Sequence, residues 1–122
     1  MSNTSFRAVT ISAESEPVEV VWDASGGLLS HLQNAVGGFV DVVRLGPNLD
    51  MWVNDDGFAL ELPRNVAATG IAWHHGFRHQ IYVGPAVFTG GVDEDGESLP
   101  LAPASAAALV EMAGKVLQGI AL

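Results

Sequence analysis

The chain has 122 residues, a formal net charge of -9 from fourteen acidic against five basic side chains, 48% apolar residues and no cysteine. That length supports one domain with its own core. The missing thiols exclude disulfide stapling and thiol catalysis, and the acidic excess argues against direct binding of nucleic acid or of an anionic membrane surface. No apolar run reaches the ~18 residues of a membrane span, and the N-terminus lacks the basic-then-apolar order of a secretory signal.

Residues 1–5 are expected to be disordered. Residues 6–11 alternate as a strand, and 18–22 follow across an acidic turn containing Pro17, so a hairpin over 6–22 is expected. Ser25 offers an N-cap for a helix whose apolar positions are Leu28, Leu29, Leu32, Ala35 and Val36. Gly37-Gly38 should stop that helix, because glycine tolerates the left-handed capping conformation. Residues 39–45 read as a strong strand, Gly46-Pro47-Asn48 as a turn and 49–53 as the return strand. Asn54-Asp55-Asp56-Gly57 reads as a tight turn with glycine available for positive φ.

Residues 58–62 read as a further short strand broken by Pro63, and 64–75 as a helix with Ala67, Ala68, Ile71 and Ala72 on one side. Residues 80–83 resume the sheet, Gly84-Pro85 kinks it and 86–89 carry it on. Since proline cannot donate to a ladder, Pro85 is expected at an edge or a bulge. An acidic loop, Asp93-Glu94-Asp95 and Glu97, ends near Pro100. Pro103 then opens a last helix over about 104–118, with Leu109, Met112, Val116, Leu117 and Ile120 as its packing stripe. The pattern predicts a single α+β domain: a mostly antiparallel sheet with two or three helices against one face.

Candidate chemistry is sparse. His74, His75 and His79 form the one local histidine cluster, and neutral imidazoles can ligate zinc. His75 and His79 share a face only if the helix persists to residue 79, and the glutamate of the metalloprotease pattern is missing. The plainer reading is a helix end where imidazole suits the negative end of the dipole. His31 reads as a lone surface residue. Asp55 and Asp56, as neighbours in an extended chain, would point apart, and 93–97 lacks the ligand spacing of a calcium loop. No nucleophile elbow or phosphate loop is present. Trp22, Trp52 and Trp73 are core residues or, if exposed, interface anchors.

Four segments stand in a characteristic order: Val36-Gly37-Gly38 leading into 39–43, then Val53-Asn54-Asp55-Asp56-Gly57, then 62–69 from Leu62-Pro63-Arg64-Asn65, then Ile81-Tyr82-Val83-Gly84-Pro85. Over about residues 29–101 the chain resembles the small phage and mobile-element proteins of domain-of-unknown-function family 3846. The N-terminal hairpin and the stretch from Trp73 to His79 depart from that pattern. The resemblance implies an origin in a phage or other mobile element and action in the bacterial cytoplasm. It implies no activity and no catalytic residue. Asn54, Gly57, Asn65 and Thr69 carry the match, and Asn65 beside Pro63 suits a backbone-capping role.

The expected function is a non-enzymatic binding module that modulates a host or phage protein through an acidic or tryptophan-bearing surface, with antidefence or host takeover as the setting. No cofactor is expected, and a homo-oligomer is a reasonable addition. The binding candidates are Trp52, Asn54, Asp55, Asp56, Arg64, Asn65, Trp73 and Arg78. Two alternatives stand beside it. One is an oligomer that sequesters a small nucleotide signal through Arg64, Arg78 and Trp73. The other is a metal-dependent enzyme built on His74, His75 and His79.

Overall fold

Apolar alternation at the N-terminus feeds directly into a sheet. The computed structural model describes residues 4–120 and residue 122. Within them lie β1 (Ser5–Ile11), β2 (Pro17–Asp23), α1 (Leu29–Val36), β3 (Val40–Gly46), β4 (Leu49–Asn54), α2 (Val66–His74), β5 (Ala86–Thr89) and α3 (Pro103–Leu117). The strands form one five-stranded sheet in the order β2-β1-β5-β4-β3. Every neighbouring pair is antiparallel, and the α+β class follows.

The two-residue period of the strands sorts side chains into two cores. On one face Phe6 and Ala8 of β1 and Val87 of β5 pack against Leu32 and Val36 of α1. On the other, Val9, Ile11, Met51 and Phe88 pack against Ala67, Ala68, Ile71 and Ala72 of α2 and Ala106, Leu109 and Ala113 of α3. The expectation of helices on one face alone is therefore corrected to a layered α/sheet/αα arrangement. β1 and β5 are apolar on both sides because both sides are covered, as their burial shows.

Several local expectations change with the tertiary contacts. Residues 58–62 form no strand. Leu60 N donates to Asp56 O, Glu61 N to Phe58 O and Leu62 N to Gly57 O, and these bonds curl the segment into successive turns. Residues 80–83 contribute one isolated bridge, Arg64 to Val83, so Arg64 is extended and α2 starts two residues later. Pro85 precedes β5, which is the central strand and neither an edge nor a bulge. The ring stands before the first ladder residue and removes no donor from it.

Ser25 does not cap α1: its N–H donates to Asp23 Oδ1, and Leu28 occupies the N-cap with no side-chain bond. Gly37 does terminate α1, at φ 81°. In α3 the inner face is Ala106, Leu109 and Ala113, at helical spacing, while Leu117 is 62% exposed. Ile120 lies beyond the helix and is half exposed. The expected disorder of residues 1–5 lies outside the described residues for 1–3, whereas Ser5 opens β1. Among the described residues no helix is long and apolar enough to cross a membrane.

Candidate functional site

At the far end of β4 the chain builds an exposed turn on a buried asparagine. Asn54 donates from Nδ2 to Val36 O (3.1 Å) and accepts from Asp56 N at Oδ1 (2.8 Å), tying the turn to the end of α1. Gly57 does not take the expected positive φ. Its requirement is space: a Cβ there would sit 2.8 Å from Val83 Cγ2 and 3.3 Å from Asn54 O. Phe58 and Leu60 follow this tight seat in the chain, and both side chains are exposed. Asp55 N donates to Phe39 O (2.8 Å), placing Phe39 beside the same turn.

Phe39, Phe58 and Leu60 are 71%, 64% and 58% exposed, and Asp41, Asp55, Asp56 and Glu61 around them are exposed as well. A hollow of about 80 Å³ runs between Asp41, Asp55, Phe58, Gln80 and Tyr82. Burial, reinforced by Asp41, pushes the Tyr82 phenol above its ordinary pKa, so it stays a neutral hydroxyl there.

Trp52 lies on the α1 face, half-buried, with Nε1 donating to Thr89 Oγ1 (2.9 Å). It lines a cleft of about 400 Å³ together with Phe6, Leu28 and Leu32, with Glu97 on the opposing loop. That acidic loop is held by its own side chain: Asp93 Oδ1 accepts from Asp95 N and Glu97 N. Nearby in the ladder, Asp50 is 1% exposed and pairs with the outward-reaching Arg44 at 3.0 Å. Desolvation raises the Asp50 carboxyl above the usual range, and Arg44 opposes that shift.

The two ends of α2 separate the remaining candidates. Asn65 is fully buried at the N-cap. Its Oδ1 accepts from Ala68 N, while Nδ2 donates to Ile11 O and Gly84 O. This single amide joins helix, β1 and the approach to β5, which is the capping role expected of it and more. Arg64 lies beside it on the surface, away from Trp73 and Arg78. At the other end, α2 stops at His74 and the chain reverses through Gly76. Trp73 Nε1 donates to Gln80 O (2.9 Å) across that reversal. Trp73, His74 and Arg78 line one cleft of about 480 Å³ with Gly70 of α2 and Val116 and Ile120 of the α3 end.

Because the helix ends before residue 79, His75 and His79 do not share a helical face. One nitrogen of His75 is bonded to Ile71 O (2.8 Å). Among the described residues, no three His, Asp or Glu side chains converge in a way that could hold an ion. His31 is not the lone surface residue expected. It stacks on Trp22 (5.1 Å between centroids, 7° between planes) and bonds Asp23 O at 2.8 Å, pinning α1 to β2. Sequence reasoning missed Phe39, Phe58 and Leu60 as surface residues. The available signal was their position directly after turn glycines or inside a turn, outweighed by their hydrophobicity.

With this geometry in view, comparison with known proteins gives one positive result. Residues 6–114 match a family model described as Domain of unknown function (DUF3846). No curated protein and no solved structure matches the chain. The match starts at β1, so the N-terminal hairpin belongs to the family domain and is not a departure from it, and its end lies inside α3. Since the model covers most of the sequence, the chain belongs to the DUF3846 family.

Proposed function

We propose that this protein is a non-enzymatic binding module that modulates another protein, in the setting of a phage or mobile element acting in the bacterial cytoplasm. The observation that carries this reading is the turn at the end of β4. Phe58 shares a hollow with Asp41 and Asp55, Phe39 is tied to the same turn through its carbonyl bond from Asp55 N, and Phe39, Phe58 and Leu60 are largely exposed, as are the adjoining Asp56 and Glu61. Exposed apolar side chains grouped within a polar rim gain free energy by leaving water against a partner. The surrounding carboxylates favour a partner whose own rim is basic, raise the encounter rate and reject acidic surfaces. Such a surface suits a host protein with a basic face, and it equally serves a homo-oligomer only if the like charges are kept apart.

The test is capture from bacterial lysate by the immobilised wild type and by a Phe39→Ala/Phe58→Ala double variant. The expected result is one or more basic proteins held by the wild type, released as salt rises past about 0.5 M and absent from the variant. Equal capture by both, or no capture at low salt, overturns the reading.

A further inference from the structure

We infer that the cleft between α2 and the end of α3 binds a small ligand with a planar ring and one anionic group, of the nucleoside monophosphate class. The site is separate from the acidic turn and does not rest on the function proposed above.

Its chemistry is unlike the rest of the surface. Of the five Lys and Arg side chains, Arg7 pairs with Glu19, Arg44 with Asp50 and Lys115 with Glu111. Arg64 and Arg78 have no acidic partner among the described residues, and Arg78 lines this cleft. His74 joins it from the last turn of α2 and lines the same cleft. None of the chain's acidic residues is among the lining residues. A free guanidinium presents a planar fork of donors suited to phosphate or carboxylate oxygens.

Trp73 supplies the other half of the recognition. Trp73 is 42% exposed as a residue although its Nε1 is already bonded to Gln80 O. Its polar atom is therefore satisfied, its orientation is fixed, and the open part of the ring is left for stacking. Val116 and Ile120 give an apolar wall on the α3 side. The depression has room for about 480 Å³ and opens widely to solvent, so a small ligand would be seated against Trp73 and the α3 wall with one side exposed. The net charge does not forbid an anion here, because exposed charges more than a Debye length of about 8 Å away are largely screened at physiological salt.

The experiment titrates the full chain with adenosine monophosphate and guanosine monophosphate, with adenosine and inorganic phosphate as controls, by tryptophan fluorescence and calorimetry. At least one nucleotide should give saturable heat and a fluorescence change that is lost in Trp73→Phe. Arg78→Gln should weaken its binding by about tenfold or more, the loss expected for a charge-assisted bond. Arg64→Gln should leave it unchanged. Adenosine and phosphate alone should each bind more weakly than the nucleotide. The inference is overturned if neither nucleotide binds up to about 1 mM, or if Arg78→Gln binds as the wild type does. It is also overturned if adenosine or phosphate alone matches the nucleotide, which would reduce the cleft to an apolar slot or a simple anion contact.

Discussion

The acidic turn at the end of β4 and the α2–α3 cleft use the same device, an aromatic residue exposed beside charge, with opposite sign. In the turn, exposed Phe58 stands with Asp41 and Asp55, and exposed Phe39 adjoins it through the Asp55 N to Phe39 O bond. In the cleft, Trp73 stands with Arg78 and His74. The turn carries a small, partly enclosed hollow of about 80 Å³, whereas the α2–α3 cleft is several times larger and opens more widely to solvent. Exposed apolar side chains fit a partner that brings its own pocket, and a larger depression has room for a small molecule. Net charge alone, at -9, describes the first region and conceals the second, since screened electrostatics are local.

The largest expected effect lies at the buried N-cap of α2, the helix that carries the cleft. Asn65→Ala leaves Ile11 O, Gly84 O and Ala68 N without their buried partner. It should cost about 3 kcal/mol of stability, read as a lowered thermal midpoint. Amide exchange should rise in α2, which carries the cleft, before it rises in β3 and β4, which carry the turn. Uniform loss of protection would show that the two regions open as one unit.

Next is Gly57→Ala, expected to cost about 1–2 kcal/mol because the added methyl meets Val83 Cγ2. Combined with Val83→Ala, the loss should be smaller than the sum of the two single changes in urea denaturation. Additive losses would mean that the strain lies with Asn54 O instead.

Phe39→Ala/Phe58→Ala should change stability by no more than about 0.5 kcal/mol per site, since both rings are largely exposed. A clear drop in the thermal midpoint would identify them as part of the fold and remove the contrast with the cleft.

The smallest effect concerns Asp50, which belongs to neither region. Burial raises its folded pKa above 3.8, so its favourable contribution is present below that value and is lost as pH rises through the folded pKa. Asp50→Asn should therefore rank better against the wild type at pH 7 than at pH 3.5, read from urea midpoints at both. The reverse ranking would mean that attraction to Arg44 outweighs desolvation.

Much of this molecule was readable residue by residue. Alternation in 6–11 and 18–22, the Gly37 stop and the turn at Gly46-Pro47-Asn48 are local signals, set by side-chain period and backbone sterics, and the structure keeps them. Composition likewise determined that the surface taken as a whole would be predominantly acidic. Only the tertiary structure decided the rest. It placed α1 on the opposite face from α2 and α3, and it put β5 at the centre of the sheet behind Pro85. It turned 58–62 away from strand pairing and brought Trp73 and Arg78 together while leaving Arg64 behind. Apolar residues state that they prefer burial but not which partner will bury them. Phe39 and Phe58 are exposed beside a turn fixed by Gly57 against Val83 and by Asn54 on Val36 O, contacts between positions 18 or more residues apart that no local pattern encodes.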